Sequence, residues 1–145
     1  MFSEKFTTEF RSEFETWRGT RPQWKALLKA VRAEAEADEL RRLGAEAGAD
    51  ESELRELVQV RRRAKADEPL AAKYAALKRR LAELDKEIAA LETKVREATA
   101  NEHAEATGAL QEAALKRDRF WRGEYIAAEQ AHKFHQEVAE PMGLG

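Results

Sequence analysis

The sequence predicts an all-α protein: an elongated antiparallel coiled-coil hairpin with a small N-terminal helical region. Three observations point there. Ala, Leu, Glu, Lys and Arg dominate the 145 residues, which is the composition of long helices. Val31, Val58, Val60, Val95, Val138, Ile88 and Ile126 are all the β-branched aliphatics, and no run alternates apolar with polar, so a sheet is not expected. Third, Leu70, Tyr74, Leu77, Leu81, Leu84, Ile88, Leu91, Val95 and Ala98 follow one another in alternating steps of four and three. Such a heptad seam argues for coiled-coil packing over an ordinary amphipathic helix. At ~1.5 Å per residue it makes a rod of roughly 43 Å that another helix must cover.

In chain order, residues 1–18 carry Phe2, Phe6, Phe10, Phe14 and Trp17, one aromatic per helical turn, with Ser3 as an N-cap candidate. The stripe either packs on the protein's own helices or docks in a partner's groove. Glu4, Glu9, Glu13 and Glu15 deny it the cationic face of a membrane-surface helix.

Gly19, Thr20 and Pro22 interrupt the stripe. Residues 20–66 then read as short helices. Thr20 can cap, Pro22 suits a first turn, and Trp24, Leu27, Leu28, Val31, Ala35, Leu40 and Leu43 form one amphipathic stripe ending near Gly44. The carboxylates Glu34, Glu36, Asp38 and Glu39 read as a solvated face, because no histidine or oxygen-rich loop accompanies them.

Leu43, Gly44, Ala47, Gly48, Ala49, Leu54 and Leu57 resemble the helix-turn-helix pattern. A small residue lets two helices touch, a glycine four positions on makes the turn, and apolar residues six and nine further lock the second helix. Asp50 is the expected N-cap, with Glu53 completing a capping box. The resemblance implies possible nucleic-acid contact through Arg55, Arg61, Arg62, Arg63 and Lys65. It departs from a DNA reader in that Glu51, Ser52, Glu53 and Glu56 open the would-be recognition helix, where carboxylates would face phosphates. Nucleic acid is therefore a possible but not a favoured partner.

Asp67, Glu68 and Pro69 are expected to stop that helix and start the rod. The seam fails after Ala98, so residues 99–108 are the expected reversal. A second arm then runs from about Ala109 to Ala139, with a broad stripe from Leu110 to Val138. The hairpin thus occupies 69–139, the alternative being one continuous helix through the Ala-rich residues 70–139, and residues 140–145 form a tail. A parallel homodimer of the rod would oppose Lys73 to Lys78 and Glu87 to Glu92. A fold-back instead sets the rod's basic half beside Glu124, Glu129 and Glu137, and its acidic half beside Lys116, Arg117, Arg119 and Arg122. Each exposed pair contributes only a few tenths of a kcal/mol, enough to select an orientation.

Chemistry is scarce. Without cysteine there is no disulfide, thiolate nucleophile or Cys-based zinc site. The histidines are His103, His132 and His135. Glu129 and His132 resemble one half of the di-iron ligand set of ferritin-like bundles, but the second Glu-x-x-His pair is missing. No phosphate-cradling glycine loop or Ser–His–Asp order is present. No catalytic residue, cofactor or metal is expected.

The formal net charge of −2 argues against a generic nucleic-acid binder. No apolar run approaches a membrane span, and the N-terminus lacks a signal peptide's basic-then-apolar order. The expected location is the cytoplasm, or a particle assembled there. The sequence reads as a non-enzymatic structural protein that oligomerises through its helices with itself or with other subunits, as in a viral particle. The alternative is a small oligomeric DNA-binding protein whose layout is similar to that of phage small terminase subunits.

Overall fold

The computed structural model of the chain describes residues 21–145, so the aromatic stripe Phe2, Phe6, Phe10, Phe14 and Trp17 lies outside the described residues. Helices α1 (Pro22–Arg32), α2 (Ala37–Ala47), α3 (Glu51–Glu97), α4 (His103–Phe120) and α5 (Ile126–Phe134) follow in order. One π-helical turn, Trp121–Tyr125, joins α4 to α5, and another, His135–Ala139, follows α5. The protein is all-α, with no strand among the described residues. By packing it divides into two units: one runs through Pro69 and takes in Ala131–Gly145, and the other is Leu70–Gln130.

The first unit is built on an apolar core. Trp24, Leu27, Leu28 and Val31 from α1, Leu40 from α2 and Leu57, Val60 and Ala64 from α3 are buried there with Phe134, Ala139, Met142 and Leu144. The stripe from Trp24 to Leu43 does not belong to one helix. It is split after Arg32, where Glu34 takes a left-handed φ of 57°. The amide of Ala35 reaches back to the carbonyl of Ala30, and that of Glu34 to Val31, the paired bonds of a Schellman ending. The same ending recurs at Gly48 (φ 77°) and Gly143 (φ 72°), where glycine adopts the left-handed backbone without a Cβ penalty. No glycine or proline marks the first of these breaks in the sequence. The final residues are not a loose tail, because the Gly143 turn sends Met142 and Leu144 into the core.

Helix α3 runs through Pro69, contrary to the break expected at Asp67–Pro69. Ala64 is buried and Asp67, Ala71 and Tyr74 are partly covered, so the shielded positions keep their three–four spacing past the proline while Pro69 itself stays exposed. The local disfavour, about 3 kcal/mol for a proline inside a helix, is outweighed by that continuous face. The same phasing corrects the start of the seam: Leu70 is 38% exposed, and Ala71 stands in the covered position.

The second unit is the helical hairpin. The chain reverses at Ala98–Glu102, and α4 opens at His103, earlier than the expected Ala109. Two contacts fix the antiparallel sense. Asp85 pairs with Arg117, and the rings of Tyr74 and Tyr125 lie 6.0 Å apart. The broad stripe of the second arm has a simple cause. Its inward positions step by five from Phe120 to Tyr125 and from Phe134 to Ala139, and each step coincides with a π-helical turn, whose wider i→i+5 ring absorbs one extra residue.

Candidate functional site

Two surfaces qualify as candidates, one in each unit. The first is the elbow between α2 and α3. A Cβ placed on Gly44 would lie 3.7 Å from a Leu54 methyl, so the two helices meet at van der Waals distance there. Gly48 supplies the left-handed turn, and the Asp50 carboxylate accepts the Glu53 amide hydrogen at 2.8 Å, an N-cap bond. Leu57 is fully buried and Leu54 packs against the core. Gly44, Gly48, Asp50, Leu54 and Leu57 thus form a short helix–turn–helix elbow.

The exposed stripe of the second helix is Glu51, Ser52, Arg55, Gln59 and Arg62, whereas Glu53 and Glu56 are half-buried. The carboxylate face expected at this helix start is thus narrower than the sequence suggested. The basic run is largely committed within the protein. Arg61 donates to the backbone oxygens of Leu144 and Gly145, each at 3.2 Å. Arg63 pairs with Asp67 at 3.3 Å, and its guanidinium sits 4.1 Å from the Phe134 ring centroid, a cation–π contact. Lys65 pairs with Glu34 at 2.8 Å, and this ammonium, hydrogen-bonded to the Glu34 carboxyl, holds it below the usual carboxylate range. Arg55 and Arg62 remain at the surface, lining a groove of about 500 Å³ with Arg41 over Val31, Leu40, Leu54 and Val58.

The second candidate is the seam of the hairpin. Only Leu84 among its residues is fully buried, at 1% exposure. Tyr74, Leu77, Leu81, Ile88, Leu91 and Val95 are half-covered, and on the other arm Leu115 and Trp121 are 56% and 36% exposed. Ala113 on the other arm is buried. A small polar knot sits inside the same unit. Hydrogen bonding to Tyr74, burial, and the bond and charge of Glu129 together push the Tyr125 phenol above its ordinary range. These bonds give Glu129 a structural partner. His135, in the first unit, sets Nε2 2.7 Å from the Ala64 carbonyl oxygen. No group of three or more metal-ligating side chains occurs among the described residues, and no described helix is long and apolar enough to cross a membrane.

No family model matches the chain, and comparison with curated proteins and with solved structures likewise finds no match.

Proposed function

We propose that the protein is a non-enzymatic structural and interaction protein that self-associates through its helical hairpin, serving as a subunit of a larger assembly such as a viral particle. The half-covered seam carries this reading. A two-helix hairpin offers each seam a single neighbour, and apolar side chains at nearly every turn from Tyr74 to Val95 stay in contact with water in one copy. At about 25 cal/mol per Å² of apolar area, covering them by further helices provides a driving force for association. Light scattering on the full chain, with and without DNA, tests the reading. The expected mass is a multiple of the 16.5 kDa chain, unchanged by DNA. A monomer throughout the micromolar range would refute it.

A second reading, a small helix-turn-helix DNA-binding protein, is favoured by one observation: the close approach of Gly44 to Leu54 above the exposed Arg55, Gln59 and Arg62. Against it, Arg61, Arg63 and Lys65 are engaged internally. The expected DNA affinity is about micromolar or weaker at physiological salt, as for non-specific association. Nanomolar binding that is lost on combined replacement of Arg55 and Arg62 by Ala would promote this second reading.

A further inference from the structure

The hairpin carries two shallow grooves of opposite charge, and both lie on one face. One is lined by Leu77, Arg80 and Leu84 from α3 with Lys116, Arg119, Phe120 and Glu124 beyond the reversal, three cations against one carboxylate. The other, toward the reversal, is lined by Leu91, Lys94, Glu97 and Ala98 with Glu102, Glu105, Ala106 and Ala109. The residues repeat at heptad spacing. Leu77, Leu84, Leu91 and Ala98 are seven apart, as are Arg80 and Lys94 with Glu87 between them. On the other arm the same holds for Glu102, Ala109 and Lys116, and for Glu105, Glu112 and Arg119. Residues seven apart share a face of a coiled-coil helix, so the grooves form one continuous surface, basic in its middle and acidic near the reversal. Arg80 and Lys94 are fourteen residues apart, a rise of roughly 21 Å.

We propose that this face binds a second copy of the chain in antiparallel, two-fold fashion, the acidic groove of each copy resting on the basic groove of the other. The inference rests on the self-association proposed above and specifies its geometry. A surface that is basic at one end and acidic at the other is complementary to itself only when one copy is reversed, and a two-fold axis imposes that reversal on both ends at once. In parallel register like charges would meet at both grooves. Residues 77–98 and their partner arm present roughly 32 Å by 20 Å, so two copies bury about 1,200 Å², at the lower edge of the range for specific interfaces. Leu77, Leu91 and Phe120, each partly exposed, supply its apolar floor, with Leu84 buried beneath. Glu87 and Glu112 fall midway between the grooves, closest to the axis, and meet their own copies there; Arg80 of each copy then lies opposite Lys94 of the other, so the attraction is carried by Lys116 and Arg119 facing Glu105 and Glu102.

Charge reversal with rescue tests the geometry on the full chain. One variant carries Arg80→Glu, Lys116→Glu and Arg119→Glu; the other carries Glu97→Lys, Glu102→Lys and Glu105→Lys. Each alone should associate roughly tenfold or more weakly in sedimentation equilibrium, and an equimolar mixture should recover the parental affinity. Misfolded variants could not restore each other. Glu87→Gln with Glu112→Gln should tighten the dimer. The chain has no cysteine, so Arg80→Cys and Glu97→Cys can be introduced singly; the mixture should cross-link under oxidation and neither variant alone should. An oligomer indifferent to both reversals, or an Arg80→Cys chain that cross-links to itself, overturns the antiparallel face while leaving self-association standing. A chain that stays monomeric overturns both.

Discussion

Replacing Pro69 by Ala is the sharpest test of the long α3 helix. Pro69 lies inside Glu51–Glu97 and is exposed, so its side chain contributes no core packing. It lacks the amide hydrogen that would reach the Lys65 carbonyl, and its ring crowds the preceding turn. Alanine restores the bond and removes the crowding, and the intrinsic difference between the two residues inside a helix is about 3 kcal/mol. Pro69→Ala should therefore stabilise the protein by about 2–3 kcal/mol. For a chain of this length that corresponds to roughly 6–12 °C in the melting temperature. Thermal and urea unfolding followed by circular dichroism at 222 nm read the effect directly. A change within about 0.5 kcal/mol of zero would refute the reasoning, because it would mean that the chain leaves the helix at Glu68, as the sequence before a proline suggests.

Leu84→Ala should cost about 2–5 kcal/mol in urea unfolding, toward the lower end because Leu84 borders a groove into which neighbours can relax; a melting temperature within a degree or two of the parent would exclude Leu84 from the core. Asp50→Ala removes the cap on the Glu53 amide and should cost about 1 kcal/mol, whereas Asp50→Asn should be nearly neutral. Gly48→Ala forces a Cβ onto a φ of 77° and should cost about 1 kcal/mol, although nothing nearby crowds the new methyl. Tyr125 holds its proton more firmly when folded than the unfolded value of about 10. Its stabilising contribution is complete below that pH and is lost as pH rises toward the folded value, so urea stability should decline above about pH 10. Tyr125→Phe should flatten that decline and abolish the delayed component of the alkaline absorbance change at 295 nm.

Much of this protein was written locally. The elbow is the clearest case, because Gly44, Gly48, Asp50, Leu54 and Leu57 each meet a requirement of a short turn within a few bonds of their own position. Heptad spacing identified the face of the rod and its antiparallel partner, since period and charge order are properties of the chain alone; the Asp85–Arg117 pair lies where that order placed it. What the tertiary structure decided were matters of competition between distant groups. Glu34 accepts a left-handed turn that no local signal marks, in a place where α1 and α2 bury their separate stripes in one core. Pro69 stays inside a helix because covered positions on either side of it remain in phase. Arg61, Arg63 and Lys65 are engaged by the Leu144 and Gly145 backbone oxygens, by Asp67 and Phe134, and by Glu34, respectively, while Arg62 stays at the surface. Spacing along a sequence states which side chains share a face. Which of those faces the protein uses for itself depends on residues up to 84 positions away, and only folding brings them together.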